Sequence, residues 1–451
     1  MDRLNTDISY EKIVKRLEDR GYPTYPVGGC VRDSILGRKI KDVDLTTLAR
    51  PDEIKEVFSS EKLIDIGKKF GTIKVISKGE EFEITTFRSD GKYLDGRHPD
   101  EISFSDNLID DLKRRDFTIN AMAYDNGKII DPFSGRCDLE KKIIRAVGNP
   151  YERIEEDYLR SLRAVRFATR LGFEIDDNLK DAIRKNSTNI NLISKERIRD
   201  EISKILIEDK PSRGIRLLDE LDLLDKIFPE LARTKGFDQH SSHHNLDVYE
   251  HSLKVLDRTE SDLVTRIAAL YHDVGKVDNF FLDENGEGRF FGHQNLSEKL
   301  LEKKLKDLRF SKKFIEDATS LVKRHMDCSN TYTKKSIRKL LRRIGEDNLR
   351  RLFNLQRADI LATVHTDTSN IDLGENILEE VLMDNTPKKR SDLAINGSDL
   401  IALGYPQGKI IGNILTKIEE EIIDDKLENN RDDILAFVRK MSKTLDSLTN
   451  K

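Results

Sequence analysis

Asp42 and Asp44 follow closely on the run Pro26-Val-Gly-Gly-Cys-Val-Arg-Asp33. Carboxylates at i and i+2 of a strand project from one face, as a pair gripping Mg²⁺ must. Gly28 and Gly29 carry no Cβ, so their backbone amides can approach a triphosphate closely. A bound Mg²⁺ would activate a hydroxyl nucleophile and neutralise charge on a leaving pyrophosphate. The segment therefore suggests nucleotidyl transfer. A single Asp-x-Asp is common surface decoration, and the reading depends on what accompanies it.

Two further segments bear on that site. Phe82-Glu-Ile-Thr-Thr-Phe-Arg88 reads as a strand, on which Glu83 is either a third carboxylate beside Asp42 and Asp44 or an exposed residue like Glu81. In Lys113-Arg-Arg-Asp-Phe-Thr-Ile-Asn-Ala121, Asp116 suits a helix cap.

Positioning these groups falls to an α+β head of residues 1–145. Ser9–Gly21 reads as a helix, and β-rich runs follow at Tyr25–Val27, Val43–Thr47, Thr72–Ser77 and Phe82–Phe87. Beyond Asp138 the strand signal fades. Glu155–Leu171, Asp177–Lys185, Lys195–Ile207 and Ser212–Leu224 carry apolar residues at helical spacing. The fold class expected is thus α+β, a mixed-sheet head followed by a long all-helical body. Its expected divisions are head 1–145, neck 146–236, a third domain 237–375 and a helical tail 376–451.

The whole chain bounds the function. At 451 residues it exceeds one ordinary domain. It is 36% charged yet nearly balanced at −4, so an RNA site must be a local patch. Three scattered cysteines form neither a disulfide framework nor a zinc pattern. The N-terminus has no apolar h-region and the chain no long apolar run, so a soluble cytoplasmic protein with no membrane partner is expected.

Taken in order, Gly28-Gly29-x-Val31-Arg32-Asp33, Asp42-x-Asp44, Arg114-Arg-Asp-Phe-Thr-Ile-Asn-Ala121, Asp131-Pro-Phe133 and Glu156-Asp-Tyr-Leu-Arg160 resemble the class II nucleotidyltransferases. These are the bacterial and eukaryotic enzymes that add CCA to tRNA 3′ ends, together with bacterial poly(A) polymerases. The resemblance covers roughly residues 20–210. It implies that Asp42 and Asp44 hold catalytic Mg²⁺, and that Gly28, Gly29 and Arg32 meet the triphosphate. Arg115 is implied as a further nucleotide contact, and Asp157 with Arg160 as the nucleotide selector. In Asp131-Pro-Phe-Ser-Gly135 this chain has Ser134 where a second glycine is more usual.

Asp157 and Arg160 are three apart on the expected helix, which would put both on one face. Aspartate accepts hydrogen bonds and arginine donates them. Cytosine offers an amino donor beside N3, and adenine the N6 amino beside N1, so one Asp/Arg pair satisfies either base. Guanine and uracil present the opposite pattern and would leave buried polar groups unpaired. An ordinary i,i+3 surface ion pair is the competing explanation of the two residues. Arg163 and Arg166 continue the face, either as a solvated basic stripe or, by the resemblance, as phosphate and nucleotide contacts.

Weaker signals separate CCA addition from polyadenylation. Ile66-Gly-Lys-Lys-Phe-Gly-Thr-Ile-Lys-Val75 resembles the Gly-Thr strand of the tRNA enzymes. Ser89–Asp100 is polar and glycine-rich, as expected of a mobile loop that enzymes adding only CC lack in part. Asn396–Gly404 and Gly408–Leu415 resemble the tail of CCA-adding enzymes. The expected partners are tRNA, CTP and ATP, with poly(A) polymerase or an enzyme adding only the final A as alternatives. Thr333–Arg351, with eight basic and two acidic residues, is either a tRNA contact or a solvated face.

Eight of nine histidines lie between His240 and His365. The ordered set His251, His272-Asp273, His293, His325 and Asp359 resembles the HD phosphohydrolase superfamily. This implies a second metal centre in residues 237–375, with His293 and His325 like the extra ligands of the subset that binds two metals. Imidazole and carboxylate together suit a divalent transition metal. Lys276 is either a substrate-phosphate contact or a surface lysine, and His240, His243, His244 and His365 read as bystanders. A different reading of the chain makes this module its active part and the head an RNA-binding platform.

Overall fold

The computed structural model describes residues 3–67, 71–90, 102–240, 246–329, 331–364, 366–383, 390–423 and 426–449. By its internal contacts the chain divides into two units, Met1–Ala232 and Arg233–Lys451.

The first unit is built on a five-stranded sheet of order β1-β2-β5-β4-β3, with β1 Thr24–Pro26, β2 Asp44–Thr47, β3 Lys62–Gly67, β4 Thr72–Ser77 and β5 Glu80–Thr86. β2 pairs parallel with β5 and antiparallel with β1. The remaining pairs, β3–β4 and β4–β5, are antiparallel, so the sheet is mixed as expected. One face of the alternating strands is driven inward: Leu45, Ile73, Val75, Phe82 and Ile84 are all buried. Strand β3 went unforeseen. Its Lys-Leu-Ile-Asp-Ile-Gly run lies at the sheet edge with Ile64 exposed, so it has no strict two-residue alternation to betray it.

Helices follow. Asp177–Lys185 and Lys195–Leu206 match their expected spans closely, and Pro211–Glu220 opens with proline at its first turn. The expected single helix from Glu155 to Leu171 is instead two, Pro150–Glu156 and Leu159–Leu171, broken at Asp157 (φ −150°, ψ 102°). Head and neck are packed as one body. Ile143–Ile144 pairs with Glu174–Ile175, Asp116 bonds Arg163, and Asp33 meets Arg170 at 3.3 Å.

The second unit is helical, with Val248–Arg258, Leu263–Tyr271, His293–Asp307, Lys312–Arg324, Lys334–Ala362 and Ser369–Met383 as its main elements. The helix Ser369–Met383 runs across the boundary expected between residues 375 and 376. Gly397–Ala402, Lys409–Ile423 and Arg431–Thr449 form a tail around its own apolar cluster of Leu393, Ile395, Leu400, Ile418 and Ile434. No helix of the described residues is long and apolar enough to cross a membrane.

Candidate active site and second metal centre

The head and neck enclose a cavity of about 770 Å³. Gly28, Gly29, Arg32, Asp42, Asp44, Arg115, Asp157, Arg160, Arg163 and Arg166 all line it. Segments more than a hundred residues apart thus converge on one space.

Gly28 adopts φ +75°, ψ −125°, a conformation costly for any residue with a Cβ. Its amide donates to Met122 O (3.1 Å), and a Cβ there would lie 2.8 Å from Arg115 Nη1. Gly29 opens the helix Gly29–Ile35. One turn on, Arg32 is 3% exposed, donates to Asn120 Oδ1 (2.6 Å) and lies over Phe167. Arg115 is anchored through Nη2 on Asp111 Oδ2 (3.3 Å).

Asp44 is the first residue of β2, two positions after Asp42. Its carboxyl is open to solvent in the cavity, yet the surrounding protein excludes much of the bulk water. That desolvation, aided by the charges of Asp42 and Glu83 and opposed by Arg115, pushes it up to about 6. Two hard oxygen donors with such mutual repulsion fit Mg²⁺, whose charge relieves it. Glu83 pairs in register with Asp44 on the parallel strand. Its carboxylate is half exposed and lies 3.4 Å from Lys74 Nζ; it does not line the cavity, yet it stands beside Asp44 closely enough for its charge to raise that carboxyl.

The break at Asp157 corrects the helical argument for the Asp157/Arg160 pair. Only Arg160 lies in the helix Leu159–Leu171, yet both face the cavity because the chain turns there, Arg160 N donating to Asp157 O (2.9 Å). Asp157 Oδ1 accepts from Leu159 N (3.1 Å) and Oδ2 from Arg197 Nη2 (2.7 Å). Arg160 is largely buried; it donates to Arg153 O (2.7 Å) and Arg114 O (3.3 Å) and pairs with Glu156.

Arg163 and Arg166 are not a free stripe. Arg163 binds Asp116 (Nη2–Oδ2 2.6 Å), and Arg166 binds the buried Glu201 (3.1 Å). Asp116 lies beyond the helix Leu108–Lys113 and is a hub rather than its cap, bonding Phe117 N, Asn120 Nδ2 and Arg163. Burial opposes its ionisation, but the Arg163 charge and these bonds outweigh that and pull it down to about 2. Ser134 stands in the left-handed region (φ 60°, ψ 33°) that a glycine would occupy at no cost. Asp131 secures this turn by accepting from Gly135 N and Arg136 N.

Arg197, Arg170 and Lys204 also line the cavity, and sequence reasoning missed them. They lie on helices whose apolar spacing was evident, but nothing in an isolated basic residue reveals which way its helix face points. Residues 68–70 of the Gly-Thr segment, residues 91–100 of the glycine-rich loop, and His243, His244 and His365 lie outside the described residues.

The second unit holds the histidine cluster. His251, His272 and Asp273 form one group that could hold a metal, and Asp273, His293 and His325 another. Asp273 belongs to both, with Oδ2 3.2 Å from His272 Nε2 and Oδ1 3.2 Å from His293 Nε2. Asp359 Oδ1 lies 2.9 Å from His251 Nε2. Three imidazoles are pre-oriented: Nδ1–H donates to Ala269 O from His272, to Phe290 O from His293 and to Val322 O from His325. Each thereby directs Nε2 inward, where a bound metal would take its lone pair, the arrangement of metal-binding histidines. Burial disfavours ionisation of Asp273, but the neighbouring imidazoles and Lys276 hold it well below the usual carboxylate range. Lys276 is buried rather than on the surface, 2.7 Å from Asp273 Oδ2 and bonded to Gln239 Oε1. His240 stands apart, stacked on Phe280.

The basic run 333–351 opens the helix Lys334–Ala362. Much of it is already paired: Lys334 with Glu380, Arg342 with Glu419, Arg350 with Glu346 and Glu379, and Arg351 with Asp262.

Residues 24–145 match the Poly A polymerase head domain. Residues 172–235 match the probable RNA and SrmB-binding site of polymerase A, and residues 289–438 the putative tRNA nucleotidyltransferase domain 2. The CCA-adding enzyme of Lactobacillus helveticus is 34% identical over 431 residues, spanning 94% of this chain and 95% of that protein. That of Enterococcus faecalis is 31% identical over 431 residues, with 95% and 94% covered. Among solved structures, the Bacillus stearothermophilus CCA-adding enzyme in complex with CTP aligns with a TM-score of 0.70 at 29% identity, covering 97% of each chain. The Thermotoga maritima CCA-adding enzyme complexed with tRNA shares the fold, with a TM-score of 0.57 at 22% identity over 96% of this chain and 94% of that one. This chain therefore belongs to the CCA-adding enzyme family of nucleotidyltransferases.

Proposed function

We propose that this chain rebuilds the CCA end of tRNA from CTP and ATP, selecting each nucleotide with protein side chains instead of a template. The observation that carries this reading is the convergence of Asp42, Asp44, Asp157 and Arg160 on one cavity. The Cβ-free turn at Gly28, the amide of Gly29 and the guanidiniums of Arg32 and Arg115 meet the triphosphate. Asp42 and Asp44 hold Mg²⁺, which when bound activates the RNA 3′-hydroxyl and offsets charge on the departing pyrophosphate. Asp157 accepts from the amino group of cytosine or adenine while Arg160 donates to the adjacent ring nitrogen. Both bases place a donor beside an acceptor in the same order, so one reader serves for both.

Asp42→Ala is the direct test. It should abolish nucleotide addition to a tRNA lacking its CCA end without unfolding the protein, and addition surviving that change would refute the assignment.

The histidine cluster supports a second centre in the same chain. Its residues hold a divalent transition metal on His251, His272 and Asp273, backed by Asp359, with Asp273 shared with His293 and His325. Imidazole and carboxylate ligands of this kind suit Mn, Fe, Co, Ni or Zn, and the chemistry such a centre supplies is phosphoester hydrolysis.

A further inference from the structure

A carboxylate discriminates between a base amino group and a base carbonyl only if it cannot turn away from the wrong one. Asp157 lies outside both flanking helices, so helical packing does not fix its side chain. Two bonds hold it: one from the neighbouring amide of Leu159, and one from Arg197 on the separate helix Lys195–Leu206. The Arg197 bond is charge-assisted, short at 2.7 Å and sheltered, with the two side chains 25% and 17% exposed. Arg197 engages Oδ2, while Oδ1, bonded once by Leu159 N, keeps a second lone pair for a base.

We infer that Arg197 is a specificity-determining positioning residue, which fixes Asp157 as an acceptor and thereby sets the discrimination of cytosine from uracil. This rests on the proposal that Asp157 and Arg160 read the base. Uracil places O4 where cytosine has its amino group, and N3–H where cytosine has N3. Held by Arg197, Asp157 confronts O4 with a second acceptor, and Arg160 confronts N3–H with a second donor. Released, the carboxylate can rotate away from O4 or towards N3–H, and the clash that rejects uracil is relieved. Cytosine loses only preorganisation of a bond it still makes.

The experiment compares kcat/KM for CTP and UTP on a tRNA ending at its discriminator base. It uses the full-length wild type, Arg197→Ala and Arg197→Lys. The CTP/UTP ratio should fall about tenfold or more in Arg197→Ala, the worth of one charge-assisted hydrogen bond. Arg197→Lys, which keeps a cationic donor, should lie between the two. A loss of folded protein scales both rates equally and leaves the ratio untouched. A ratio within about twofold of wild type in both variants overturns the inference, whatever the absolute rates. A wild type with no preference for CTP over UTP overturns instead the base-reading proposal on which it rests.

Discussion

Asp44→Asn should silence synthesis and yet stabilise the metal-free protein. In the folded chain the Asp44 carboxyl titrates at about 6 against an ordinary 3.8. The folded state therefore favours the proton, and the stability this contributes is fully present below pH 3.8 and is lost as pH rises through about 6. At full burial the difference would be worth about 3 kcal/mol. Asp44 is open to cavity water, and screening reduces this to about 1 kcal/mol. Asparagine mimics the protonated acid in shape and charge. In EDTA at pH 8, Asp44→Asn should thus raise the Tm of the unit containing residues 1–232 by about 2–4 °C, with no difference near pH 4. Excess Mg²⁺ should reverse the order by stabilising the wild type and leaving the variant almost unmoved. Thermal melts followed by circular dichroism at the two pH values, with and without Mg²⁺, read all four conditions. An unchanged or lower Tm at pH 8 in EDTA, or equal protection of both proteins by Mg²⁺, would refute this electrostatic account of the site.

Other perturbations follow from single contacts. Gly28→Ala must fit a Cβ 2.8 Å from Arg115 Nη1 at φ +75°, and should lower kcat/KM for CTP by about tenfold or more in steady-state incorporation assays. Ser134→Gly removes a left-handed serine and should stabilise the protein by about 1 kcal/mol in urea denaturation. Arg163→Ala leaves Asp116 buried without its charge partner and should cost about 2–3 kcal/mol, most of it recovered in the Arg163→Ala/Asp116→Asn double variant. His272→Ala should strip transition metal from the purified protein as measured by plasma mass spectrometry, with nucleotide addition unaltered; unchanged metal content would refute the second centre.

The sequence was most legible where chemistry demands particular residue types at short range. The Gly-Gly and Asp-x-Asp segments, the Asp157/Arg160 pair and the six residues of the histidine cluster each announce themselves. Strands β2, β4 and β5 were visible because one face of each is driven into the core. The turn at Asp157 was not visible, since Glu155–Leu171 keeps helical apolar spacing across the break, which is held by a local bond from Leu159 N and a tertiary one from Arg197. Arg163 and Arg166 looked like a continuous basic stripe, because their buried partners Asp116 and Glu201 lie 47 and 35 residues away in the chain. Glu83 shows the converse. Its register beside Asp44 was foreseeable from strand pairing, but the competing pull of Lys74 was not.

The central claim, template-free selection of C and then A at a single cavity, is tested most directly by extending a tRNA that ends at its discriminator base. With CTP and ATP together the account predicts addition of C, C and A and then arrest; with CTP alone, addition should stop after the second C. Long A tails made without CTP, or extension only of a tRNA already ending in CC, would contradict it.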